Sequence, residues 1–113
     1  MDKLFVQAML YDFYGELLTQ HQRSVYEGFV FDDLSLGEIA AQQGITRQGV
    51  HDLVKRCDKI MADYEQKLHL VERFTLMKKQ MEEIRLLAKD DNQEAENRMK
   101  RILEISDLLL EEL

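Results

Sequence analysis

The chain has no proline, no tryptophan and one cysteine, and only five of its 113 residues are glycine. So few turn formers disfavour β-sandwiches and barrels, and a mostly helical chain is expected. The lone Cys57 has no partner for an internal disulfide, which points to a reducing, intracellular setting. No run of about 18 uninterrupted apolar residues occurs, so no membrane span is expected. The start, Met1-Asp2-Lys3-Leu4, lacks the basic-then-apolar pattern of a secretory signal. Positive charge is also scarce: 15 Lys and Arg stand against 22 Asp and Glu, a net charge of −7. That balance argues against avid nonspecific binding to nucleic acid.

What is present suffices for a core, since 45% of the residues are apolar. The length fits one domain, or a small domain with an extension. Residues 4–18, LFVQAMLYDFYGELL, spread their apolar side chains around the helical wheel and predict a helix buried on more than one side. Thr19 and Gln22 fit a capping box for a second helix over residues 20–31, with Val25 and Phe29 on its apolar face. Ser35 and Glu38 repeat the device for a third helix ending near Gln42. Gly44 suits a turn with positive φ. Thr46 can cap a fourth helix with Val50, Leu53, Val54, Cys57, Ile60 and Met61 on its apolar side.

Beyond residue 60 the pattern changes. A break is expected near residues 67–75, with Thr75 as its cap. Leu70, Phe74, Met77, Met81, Ile84 and Ala88 follow a 4, 3, 4, 3, 4 spacing, and so do Ala95, Met99, Ile102, Ser106, Leu109 and Leu113. These are heptad-like seams on either side of a break at Lys89–Gln93. The expected organisation is a helix-turn-helix module over residues 1–60 and a helical extension over 61–113. Two arrangements, which can coexist, fit these seams: a fold back into an intramolecular helical hairpin, or pairing with a second copy. An extension this long has little to bury against in one chain, so a homodimer is expected.

The most informative segment is LGEIAAQQGITRQGVHDLVKR, residues 36–56. A helix-turn-helix needs a small residue in its first helix and a turn residue four positions later, here Ala40 and Gly44. Ile39, Ile45, Val50 and Leu53 fall where its small core requires apolar side chains, and Gln43 is the one polar intruder. Such a unit lays the start of its second helix in the major groove. Thr46, Arg47, Gln48, His51 and Lys55 are then candidates for contact with bases or nearby backbone, with Arg47 suited to guanine and Gln48 to adenine. Arg56 and Lys59 are candidates for phosphate contact. Across residues 46–59 four basic residues face Asp52 and Asp58, a local net of +2 in an acidic chain. Gly49 is a weak helix former within this reading helix.

Residues 17–70 resemble the YlxM-type family of small bacterial helix-turn-helix proteins. The resemblance rests most on Leu18-Thr19, on Ser35 through Ala40, and on Thr46-Arg47-Gln48 with Val50. A more general likeness is to the fourth region of bacterial sigma factors, which binds promoter DNA. The resemblance implies an all-α, cytoplasmic regulator, linked to the signal recognition particle pathway through gene neighbourhood.

Other chemistry is weakly supported. His21, His51 and His69 are not spaced as metal ligands, and one cysteine makes no zinc signature. Cys57 reads as a small buried hydrophobe rather than a nucleophile. Asp32-Asp33 and Asp90-Asp91 read as solvated connections. Met9, Tyr11, Phe13, Tyr14, Phe29, Phe31 and Phe74 are expected in the core. No enzyme activity, cofactor or metal is expected. Two functions stay open: a dimeric regulator binding duplex DNA, or an adaptor that does not bind DNA and instead touches the protein or RNA of the signal recognition particle.

Overall fold

In the computed structural model, which describes residues 2–113, the chain is all-α. Among the described residues six α-helices form: α1 (Lys3–Tyr14), α2 (Gln20–Val30), α3 (Leu36–Gln43), α4 (Arg47–Leu68), α5 (Leu70–Lys89) and α6 (Ala95–Glu112). Among the described residues no helix is long and apolar enough to cross a membrane.

Local hydrogen bonds start the helices where the sequence places its caps. Asp2 accepts from Leu4 N–H at 3.2 Å to open α1. In the capping box of α2, Gln22 N–H donates to Thr19 Oγ1 at 3.2 Å and Thr19 N–H to Gln22 Oε1 at 2.9 Å. In that of α3, Ser35 and Glu38 exchange the same two bonds, both at 3.1 Å. The Ser35 N–H bond, followed by its hydroxyl, holds the Glu38 carboxyl below the usual carboxylate range. Each such cap contributes about 1 kcal/mol.

Residues through Val71 form one compact unit and Glu72–Leu113 another. The expected boundary at residue 60 falls inside α4, which continues because Met61 and Tyr64 still pack on the first core. That core gathers Tyr14, Val25, Tyr26, Ile39, Val50, Val54, Cys57 and Met61. α4 stops at Leu68 because His69 turns into the left-handed region at φ 57°. Thr75 lies inside α5 and is not its cap. The first N–H groups of α5 find side-chain acceptors: Leu70 N–H donates to the distant Tyr14 Oη at 3.2 Å, and Val71 N–H to Glu65 Oε1, six residues back, at 2.9 Å. Tyr14 in turn donates to the same Glu65 oxygen at 2.6 Å.

Several expected core residues are instead exposed. Leu17 is 55% exposed because the chain tightens into a 3₁₀ turn over Gly15–Leu17, which rotates it off the buried side of α1. Phe31 stands past the end of α2 and leans on the Tyr11 ring, 5.5 Å between centroids. Phe74 lies on the second unit, half exposed.

In the second unit, Arg101 Nε pairs with Glu83 Oε1 at 2.9 Å, linking α6 to α5. Arg98 Nη1 donates to the carbonyl of Leu87 at 3.2 Å, satisfying one of the last carbonyls of α5. Ile105 is buried, while Phe74, Met81, Met99 and Leu113 of the two seams are exposed.

Candidate nucleic-acid interface

α3, the turn at residues 44–46 and α4 make the helix-turn-helix. Ala40 is buried beside Ile39, Val50 and Val54, and its small side chain lets the two helices approach. Gly44 takes the left-handed conformation at φ 67°, which only glycine adopts without penalty. The Ile45 N–H then bonds back to the Ala40 carbonyl at 3.1 Å and closes the turn. The polar Gln43 is accommodated because its Nε2 donates to Ser24 Oγ on α2 at 3.0 Å.

Thr46 caps α4 by accepting from Gly49 N–H at 2.9 Å. A Cβ at residue 49 would meet the Thr46 hydroxyl oxygen at 3.2 Å. The glycine therefore leaves room for the cap, which offsets part of its poor helix propensity.

The seven candidate residues all lie on α4 or its cap, and all are exposed. With about 100° per residue, Gln48, Asp52, Lys55 and Lys59 form one outward stripe. Arg47 and His51 flank it on one side and Arg56 on the other. Lys59 stands about 18 Å along the axis from Arg47, so the two cannot engage the same base pair.

The structure distinguishes among these side chains. The Arg47 guanidinium folds back over Gly37 at the start of α3. Gln48 Nε2 donates to Asp52 Oδ1 at 2.8 Å, and His51 Nδ1 lies 3.6 Å from the same oxygen. Lys59 pairs with Asp63 at 3.5 Å. Asp58, which lowers the local charge on paper, is turned inward. Its oxygens accept from Gln7 Nε2 at 3.1 and 3.0 Å and from the Tyr26 hydroxyl. Burial first, then the bond to Asp58, raises the Tyr26 phenol well above its ordinary value. On the exposed stripe the remaining carboxylate is Asp52.

Two features were not legible from the segment alone. One is the Gln48–Asp52 bond, whose only sequence signal is the i, i+4 spacing. The other is a crevice of about 110 Å³ where Lys3 and Gln7 of α1 meet His51 and Lys55 of α4. It brings a cation from the start of the chain beside α4.

The exposed groups of this surface can supply charge and hydrogen bonds. Cys57 is fully buried, and burial, followed by the neighbouring Asp58, pushes its thiol up to about 11. A thiol so placed is protonated near neutral pH and inert. Among the described residues no group of three or more His, Cys, Asp or Glu could hold a metal ion.

Comparison with known proteins places the chain. The family model described as "Putative helix-turn-helix protein, YlxM / p13 like" matches residues 1–102. A UPF0122 protein of Shouchella clausii is 41% identical over 98 residues, 86% of this chain and 90% of that relative. One of Anoxybacillus flavithermus is 39% identical over 108 residues, 96% and 98% of the two chains. A UPF0122 protein of Bacillus cereus is 37% identical over 104 residues, 92% and 94%. With its turn at Gly44, its cap at Thr46 and this likeness over nearly its whole length, the chain belongs to the UPF0122 family of YlxM/p13-like helix-turn-helix proteins.

Proposed function

We propose that this protein is a non-enzymatic regulator that binds duplex DNA by laying the start of α4 in the major groove. The observation that carries the reading is the outward stripe of α4. Its first two turns present Gln48, His51 and Asp52 while the opposite side of the same helix is locked into the core by Val50, Val54 and Cys57. Arg47, Gln48 and His51 read base edges, and Thr46 and Lys55 contact bases or nearby backbone. Arg56 and Lys59 meet phosphates.

One copy offers few phosphate contacts, so affinity is supplied by pairing two. The exposed Phe74 and Met81 of α5 edge a groove of about 480 Å³, and their seam is the surface assigned to the second copy. A two-fold dimer would read two half-sites about one or more helical turns apart.

The test is selection from random duplex DNA at about 50 mM salt and again near 150 mM. Enrichment of a two-fold motif at the higher salt is expected, with loss of that preference in the double variant Arg47→Ala/Gln48→Ala, which should still fold. Unchanged binding by the double variant would remove α4 from its role. Recovery of no motif would leave the helix-turn-helix as a protein-binding unit and favour the adaptor of the signal recognition particle. Sedimentation of Met81→Glu tests the pairing, and a wild-type monomer at micromolar concentration would sink it.

A further inference from the structure

We propose that Asp52 is a positioning residue that sets the base preference of Gln48. The inference rests on the duplex-DNA reading above and deepens it. A carboxylate in the middle of a DNA-reading surface works against phosphate, so its presence there calls for a reason. Two cations, Lys55 and Arg56, lie one turn ahead of it, at the spacing where ion pairs form on a helix. The Asp52 carboxylate instead turns back, 2.8 Å from Gln48 Nε2 and 3.6 Å from His51 Nδ1. All three side chains are exposed.

The consequence follows from hydrogen-bond chemistry. An amide side chain carries a donor end and an acceptor end, and it can turn either toward a base. An ionised carboxylate only accepts. The end of Gln48 held by Asp52 must therefore be its NH₂, which leaves Oε1 and the second N–H for the groove. A fixed outward acceptor selects a base edge that carries an amino group. Adenine offers N6–H₂ beside the N7 acceptor and satisfies both free atoms of Gln48. Guanine presents O6 and N7, two acceptors; one can accept from the free N–H, but the other faces Oε1 unpaired. Asp52 thus converts a side chain able to accept several bases into one that selects adenine and rejects guanine. By drawing the carboxylate toward Gln48, the same bond leaves Lys55 and Arg56 to the phosphates.

The experiment is selection from random duplex DNA, followed by affinity measurement on single-base variants of the selected site. It uses the full chain as wild type, Asp52→Ala, Gln48→Ala and the double variant. Wild type should prefer adenine over guanine at one position of each half-site by on the order of tenfold or more. Asp52→Ala should reduce that ratio toward one at that position alone. In the Gln48→Ala background, Asp52→Ala should have no further effect on the ratio, because a residue acting through another is silent once that partner is gone. Thermal unfolding of Asp52→Ala should be almost unchanged, since the residue is exposed.

If Asp52→Ala strengthens binding to every sequence equally and leaves the ratio intact, the carboxylate acts only by repulsion and the proposal is overturned. The same holds if the effect persists in the Gln48→Ala background. A wild-type protein that enriches no motif overturns the DNA reading itself, an outcome separate from an intact motif that ignores Asp52.

Discussion

The Arg47 guanidinium lies over Gly37, in the space a side chain there would need. A Cβ built at Gly37 would meet Arg47 Nε and Nη2 at 3.0 Å. The arginine proposed to read bases is thereby held against the first turn of α3. Because the crowding atoms are the far end of a flexible side chain, Gly37→Ala should displace the guanidinium rather than the helix. Removing a glycine from a helical position gains up to about 1 kcal/mol. The urea midpoint of Gly37→Ala should therefore rise or hold. A loss of more than about 1 kcal/mol would show that Arg47 is fixed in place.

The inward Asp58 makes Tyr26 structurally important. Tyr26 is fully buried and its hydroxyl donates to Asp58, which Gln7 also engages. Tyr26→Phe deletes one donor and leaves the carboxylate with fewer partners in a partly buried site. A loss of about 1–3 kcal/mol is expected from chemical denaturation. An unchanged midpoint would mean that water replaces the hydroxyl without penalty.

Alkaline pH should destabilise the first unit. The folded Cys57 thiol titrates at about 11, against about 8.5 for an unfolded thiol. The folded state thus holds its proton more tightly. This contribution is fully present below the unfolded value and is lost as pH rises toward the folded one. The raised phenols of Tyr26 and Tyr14 act in the same sense at higher pH. Urea midpoints should fall steadily between pH 8.5 and 10. Cys57→Ala should lower stability at pH 7 but flatten that early part of the decline.

The cap of α4 and its glycine should be coupled. Thr46→Ala removes the hydroxyl that accepts from Gly49 N–H, and a loss of about 1 kcal/mol is expected. Gly49→Ala alone gains helix propensity but crowds that hydroxyl at 3.2 Å. In the Thr46→Ala background the crowding is gone, so the same change should stabilise by close to the full value of about 1 kcal/mol. A double-mutant cycle with no coupling would show that Gly49 has no part in the cap.

The residues that begin the helices were legible because their bonds are local. Thr19 and Gln22, Ser35 and Glu38, and Thr46 and Gly49 each meet across three positions. Such pairs need only the first turn of a helix to form, whatever packs around it. The left-handed turn at Gly44 belongs to the same class. In the candidate site, the exposure of Thr46, Arg47, Gln48, His51, Lys55, Arg56 and Lys59 followed from periodicity, because the apolar side of α4 could face only inward.

What tertiary structure decided lies in contacts between distant residues. Asp58 reads as a surface charge until Gln7, 51 positions earlier, and Tyr26 reach it. At the start of α5, Leu70 N–H finds Tyr14 Oη, 56 positions earlier, only after α1 has packed on α4. The left-handed turn at His69 that ends α4 and the 3₁₀ turn that exposes Leu17 had no marker in the local spacing. Local hydrogen bonding is set by spacing along the chain, so the sequence alone determined where helices could begin and which side of α4 faced out. The partner of a buried or poised charge is set by packing, and only the folded helices decided it.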